Sequence, residues 1–291
     1  MPVYINDQLI KSSQFAGGER NVTIDAIEVG DTVDVTGYLL NADDIMDLLL
    51  TVDALRRKNE GVTVNLTIPY FPYARQDRVC NPGEALSVEV MAKLINGLGC
   101  DTVTVFDPHS SKTLESLENA TAQTAADVIA ASSLKDLIKQ AGLELVAPDK
   151  GAIARTQLVS EALGGVPVHY CTKERDSATH AITKTVISAD VRGKNLIIID
   201  DICDGGRTFI QLGQALKEAG AKDVYLYVTH GIFMAGLEIL KPAIDKVFCL
   251  HTYLKPEQRD PSFLTVMEDE MGMRPLARFR ARRSSTQALN A

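Results

Sequence analysis

No stretch of the 291-residue sequence approaches the roughly 20 consecutive apolar residues that crossing a bilayer requires. The opening MPVYINDQLIKSSQFAGG has no apolar h-region, so no secretory signal is expected. Cysteine is sparse, with residues 80, 100, 171, 203 and 249 scattered and never spaced C-x-x-C. An odd, scattered set argues against a disulfide frame or a zinc site; it fits reduced thiols and a cytoplasmic location. Positive charge is not in excess either. A net charge of −8 argues against nucleic acid or an anionic membrane surface as the main partner, while leaving room for a local basic pocket. Neither G-x-G-x-x-G nor G-x-x-x-x-G-K-[ST] occurs, which excludes a dinucleotide-binding Rossmann domain and a P-loop ATPase. There is no Gly- or Ser-rich linker, short-period repeat or low-complexity block.

What is present is an alternation of strand and helix patterns. VTVNLTI (62–68), TVTVF (102–106), LELVA (143–147), VPVHY (166–170) and VYLYVTH (224–230) read as strands. Between them, Ile45, Leu48, Leu49, Val52 and Leu55 share one helical stripe, with Asn41, Asp43 or Asp44 available as a cap and Gly61 just beyond the end. Further helices are expected near 87–98, 133–141 and 151–163. Such βα alternation predicts an α/β fold of two similar domains, each a parallel sheet flanked by helices. The expected division is 1–140 and 141–275, with the basic, then polar, 276–291 as a mobile tail.

The run NLIIIDDICDGGRTF (195–209) is the most informative. Leu196 to Ile199 read as a strand covered on both faces, followed by an acidic turn and a helix with Phe209, Leu212 and Leu216 on one side. The carboxyl end of such a strand is where open α/β sheets bind ligands. A single Asp there often does no more than cap the next helix. Asp200, Asp201 and Asp204 together repel one another unless a cation or hydroxyl groups hold them, and a sugar diol supplies hydroxyls. Gly205 and Gly206 let backbone N–H groups turn toward a ligand, and Arg207, Thr208 and the helix N-terminus favour an anion. The set describes a site for a phosphorylated ribose with Mg²⁺.

A second stretch, IPYFPYARQDR (68–78), sets Tyr70 and Phe71 between Pro69 and Pro72, with Tyr73 just after, beside Arg75, Gln76, Asp77 and Arg78. Aromatic faces for a purine and guanidinium groups for phosphate would make a nucleotide site.

With PYFPYARQDR, NADDIMDLLLTVDALRR, VAPDKGAIAR, DDICDGGRT and THGIF in this chain, it resembles the ribose-phosphate pyrophosphokinase (PRPP synthetase) family over roughly residues 12–235. The resemblance implies domains of the type I phosphoribosyltransferase kind. It also implies Mg²⁺-dependent transfer of the β,γ-diphosphate of ATP to the anomeric hydroxyl of ribose 5-phosphate, in a homo-oligomer. Carried over by motif, Arg75, Gln76 and Asp77 of ARQD, with Phe15 and Glu19 of QFAGGERNV, would bind ATP. His109 of FDPHS would contact metal and phosphates, and Asp149 of VAPDKG would belong to the metal and ribose region. Lys173 and Arg175 of a flexible KER segment would close over the transferring diphosphate. Asp200, Asp201, Asp204, Gly205, Gly206, Arg207 and Thr208 would hold the ribose phosphate.

Departures from the family are local. Its ribose-phosphate loop usually runs Asp-Thr-Gly/Cys-Gly-Thr, whereas here Gly205 replaces a hydroxyl and Arg207 adds a guanidinium. DPHSS stands for DLHxxQ, and the sequence after about 250 does not follow the family. Arg207 would suit a second phosphate, so a 5-substituted ribose such as ADP-ribose stays open as the acceptor. Two further possibilities stay open: a phosphoribosyltransferase, which shares the acidic loop, and a non-catalytic regulatory homologue.

Overall fold

In a computed structural model, the backbone is described for residues 3–175 and 182–268, and the side chains for the same residues outside 172–186. The stretch read as a tail, 276–291, lies outside the described residues. The chain divides into two compact units, the first ending at Gln123 and the second starting at Thr124. Residues 124–140, expected in the first domain, therefore fall in the second.

The first unit contains β1 (Val3–Ile5), β2 (Gln8–Leu9), β3 (Lys11–Gln14), β4 (Arg20–Thr23), β5 (Thr32–Gly37), α1 (Ala42–Lys58), β6 (Thr63–Ile68), α2 (Ser87–Asn96), β7 (Thr102–Phe106), α3 (Lys112–Ser116) and β8 (Ala120–Gln123). Its sheet runs β2-β1-β5-β6-β7-β8, parallel from β5 to β8. The expected parallel sheet thus carries an antiparallel edge. The turn that makes this edge is Asn6-Asp7, with φ of 43° and 67°, the left-handed pair that a tight two-residue hairpin requires. Helix α1 starts where Asn41 Oδ1 accepts the Asp44 N–H at 3.0 Å. Its Ile45, Leu48, Val52 and Leu55 are buried in the core, as their spacing predicts. Burying four such side chains contributes roughly 6–12 kcal/mol before chain entropy is counted.

The second unit contains α4 (Ala125–Ala131), α5 (Leu134–Gln140), β9 (Leu143–Ala147), α6 (Ile153–Ala162), β10 (Val168–Arg175), β11 (Ile182–Ile187), β12 (Asn195–Cys203), α7 (Arg207–Glu218), β13 (Asp223–Gly231), β14 (Lys246–Thr252) and β15 (Leu264–Val266). Helix α4 packs on α6, which explains why it belongs here. The sheet order is β11-β10-β9-β12-β13-β14-β15, parallel except where β11 pairs with β10. From β9 the chain moves to one side and from β12 to the other. The carboxyl ends of these two neighbours therefore flank the point where the winding reverses, the usual crevice for a ligand. Leu196, Ile197, Ile198 and Ile199 are each 0% exposed, so the strand is covered on both faces as its sequence predicts.

Candidate active site

Adjacent parallel strands β6 and β7 deliver two loops to one place in the first unit. After β6, the 69–86 loop is anchored by Phe71 and Ala74, which sit in the core. Tyr73 then adopts φ 63° and its carbonyl accepts the Gln76 N–H at 3.0 Å. After β7, Asp107 turns the chain with φ 36° and leads to Pro108 and His109. Arg75, Gln76, Asp77 and His109 consequently line one pocket of about 570 Å³, together with Arg78 and Cys80. The Arg78 guanidinium grips the Asp77 carboxylate at 2.8 and 3.1 Å. That bond is the main cause of an Asp77 pKa lowered to about 2, so the group stays ionised at any working pH.

The aromatic side chains of this loop depart from expectation. Phe71 is 1% exposed and belongs to the hydrophobic core, so it has no face to offer a base; Tyr73 remains 45% exposed. Glu84 is a residue that the sequence motifs do not single out. It accepts the N–H groups of Cys80 and Asn81 at 2.9 Å each, closes the loop and itself lines the pocket. The Asn81–Glu84 spacing, that of a capping box, is the signal that marks it.

Phe15 and Glu19 stand at the tip of the β3–β4 hairpin, where the Phe15 N–H donates to the Glu19 carbonyl at 2.9 Å. Phe15 is 60% exposed, and neither residue lines the Arg75 pocket.

In the second unit, Asp149 follows β9. Its Oδ1 accepts the N–H groups of Gly151 (3.0 Å) and Ala152 (3.3 Å), so one carboxylate oxygen organises the turn into α6. Strand β12 does not stop at Ile199. It continues to Cys203 because β13 extends to Gly231 and keeps offering backbone partners. Asp200 and Asp201 thus lie within the strand, and only Asp204 is in the turn. Asp201 is 4% exposed and buried rather than open to a sugar.

The cation that this acidic pair demands is Arg155, on α6. It ends the VAPDKGAIAR motif, yet nothing in the sequence marks it as a site residue. Its guanidinium lies 3.5 Å from Asp200 and 3.8 Å from Asp201. Burial first, and then the neighbouring Asp201, hold the Asp200 carboxyl well above the usual carboxylate range; Arg155 pulls the other way.

The turn closes with Gly206 at φ 73°, just before α7. A side chain there would meet Leu240 Cδ2 at 3.0 Å, so glycine is needed for both backbone and space. By helix geometry the first N–H groups of α7, at Arg207 and Thr208, have no acceptor inside the helix and are available to an anion. Lys173 and Arg175 lie in β10, which runs past the expected end at 170 and pairs antiparallel with β11, Lys173 opposite Thr185. The expected loop is there a strand; the two side chains lie outside the described residues. No cluster of three or more His, Cys, Asp or Glu side chains is placed to hold a metal ion among the described residues, and no helix there is long and apolar enough to cross a membrane.

Comparison with known proteins matches residues 4–99 to the N-terminal domain of ribose phosphate pyrophosphokinase and residues 113–252 to the phosphoribosyl transferase domain. The ribose-phosphate pyrophosphokinase of Pyrococcus furiosus is 34% identical over 250 residues, covering 85% of this chain and 87% of that protein. The chain belongs to the ribose-phosphate pyrophosphokinase family. Membership makes it an enzyme of the ribose-phosphate diphosphokinase class. The Pyrococcus abyssi ribose-phosphate pyrophosphokinase is 35% identical, over 84% of each chain. The crystal structure of phosphoribosylpyrophosphate synthetase from Mycobacterium smegmatis superposes with a TM-score of 0.73 at 24% identity, over 97% of this chain and 91% of that one. That likeness shows the fold. The family match starts earlier and ends later than the stretch the motifs alone delimit.

Proposed function

We propose that this enzyme transfers the β,γ-diphosphate of ATP to the anomeric hydroxyl of ribose 5-phosphate, giving 5-phosphoribosyl 1-diphosphate and AMP. The observation that carries the reading is the Arg75–Gln76–Asp77–His109 pocket. A phosphoribosyltransferase has use for the acidic ribose site of the second unit but none for a nucleotide pocket in the first.

In this reading Arg75 and Gln76 bind the ATP phosphates, and Asp77, held ionised by Arg78, fixes the loop that presents them. Phe15 and Glu19 contribute to the nucleotide from the hairpin tip. The partly exposed Asp200 accepts sugar hydroxyls, while Asp201 and Arg155 set its position and charge. The N–H groups opening α7 take the 5-phosphate. Attack by O1 on the β-phosphorus displaces AMP, and Lys173 and Arg175 stabilise charge spreading onto the diphosphate and the leaving group. No side chain serves as a covalent nucleophile, so the protein contributes placement and electrostatics.

Mg²⁺ fits the donors present. It favours oxygen and keeps most of its waters, binding through one or two carboxylates and substrate phosphates, so it needs no three-residue cluster. The second Asp149 oxygen would be a donor on the sugar side. His109 would serve the ATP side, where the ion would neutralise phosphate charge. We further propose an oligomeric, cytoplasmic enzyme.

The test is AMP release from ATP with ribose 5-phosphate and Mg²⁺; no AMP formation would remove ribose 5-phosphate as the acceptor. A second acceptor is favoured by one observation. Arg207 is exposed, makes no ion pair among the described residues, and stands near Gly205, whose side-chain direction is open space. A forked cation there suits a diphosphate such as that of ADP-ribose. Competing the two acceptors at equal concentration decides: product from ADP-ribose alone would replace ribose 5-phosphate as substrate and keep the diphosphate transfer.

A further inference from the structure

The β3–β4 hairpin is held at its base by Ile10 and Ile24, which are buried in the core, but its strands are mostly polar. Its strands read Lys-Ser-Ser-Gln and Arg-Asn-Val-Thr, and of these side chains Val22 is the apolar one packed on the core. A two-stranded ribbon is marginal in water. The directed polar anchor of its strands is Arg20. Its Nε donates to Asp47 Oδ1 at 2.8 Å and a terminal nitrogen to Asp47 Oδ2 at 2.5 Å; the same nitrogen reaches Ser12 Oγ at 2.9 Å. One guanidinium therefore joins both hairpin strands to α1. The contact is shielded, with the Asp47 side chain 1% exposed and that of Arg20 14%. Arg20 also immediately follows Glu19, so the clamp sits at the base of the tip that carries Phe15 and Glu19.

We propose that Arg20 and Asp47 are positioning residues, whose planar two-point pairing sets the angle at which the hairpin tip presents Phe15 and Glu19 to the nucleotide. The proposal rests on the reading that this tip binds ATP. A fork on a carboxylate fixes orientation, whereas a lysine in its place supplies charge at one point and leaves the ribbon free to swing.

The test is steady-state kinetics of the full chain with Arg20→Lys, Ser12→Ala and Phe15→Ala, with thermal unfolding of each. Arg20→Lys is expected to raise KM for ATP by on the order of tenfold or more, leaving KM for the sugar phosphate and kcat at saturation near wild type. Ser12→Ala, which removes one leg and spares the buried carboxylate, moves KM for ATP in the same direction by less, and serves if Arg20→Lys does not fold. A merely structural clamp would lower the active fraction, and so kcat, with both KM values unchanged; that result overturns the proposal. Phe15→Ala separates the two levels. If it leaves KM for ATP unchanged, the tip does not bind ATP and the proposal falls with that reading. If it raises KM while neither clamp variant does, the tip binds nucleotide but positioning by Arg20 is refuted.

Discussion

Replacing Arg155 by methionine takes away the guanidinium lying 3.5 Å from Asp200 and 3.8 Å from Asp201. With an effective dielectric near 20, one such contact at 3.5 Å corresponds to about 5 kcal/mol of attraction, and the desolvation of Arg155 offsets part of it. Asp200 limits the damage further by binding a proton, because its carboxyl is already pushed well above the ordinary range by burial and by Asp201. The expected net loss is about 2–3 kcal/mol near pH 8 and less near pH 5. The direction follows from linkage. A raised carboxyl pKa means that the folded state binds more protons than the unfolded one between the ordinary value, about 4, and the raised value. Stability therefore falls as pH rises through that window. Removing Arg155 raises the Asp200 pKa again, so the cost of the substitution grows with pH. Denaturant midpoints of wild type and Arg155→Met at pH 5 and pH 8 measure it. Asp200→Asn in the same background should recover much of the loss, since it removes the charge that needed the cation. Equal losses at both pH values, or strict additivity of the two substitutions, would refute the account of Arg155 as the counter-ion of the pair.

Arg75→Ala should raise KM for ATP and leave that for the sugar phosphate unchanged; an effect confined to the sugar would remove ARQD from the nucleotide site. Alanine at Lys173 or Arg175 should cut kcat by about 10²–10³ with a smaller change in ATP binding, as losing a donor to developing charge does, and wild-type turnover in both would end their catalytic role. Gly206→Ala should destabilise the protein by about 1–3 kcal/mol, given its φ of 73° and the 3.0 Å approach of Leu240; an unchanged unfolding midpoint would show that the turn relaxes freely.

Much of the scaffold was legible in the residues. TVTVF and LELVA are strands with the bounds that their patterns predict, and the stripe from Ile45 to Leu55 is the buried face of α1. These follow from side-chain period and capping chemistry, which act over a few residues. The motifs also named the Arg75 loop and His109, but their separation along the chain does not say that they share a pocket. That follows from β6 and β7 being neighbours and parallel, so that their carboxyl ends open on the same side. The repulsion within Asp200-Asp201 predicted that something must hold the pair. Which group does so was settled by α6 bringing Arg155, 45 residues away, to the end of β12. Likewise the aromatic character of Phe71 was plain, while its burial depended on the core that the sheet and helices build around it. Local pattern thus determined which residues form strands, helices and turns. The order of strands decided which of their ends meet, because neighbours in a sheet are chosen by long-range burial and pairing that no short window of sequence contains.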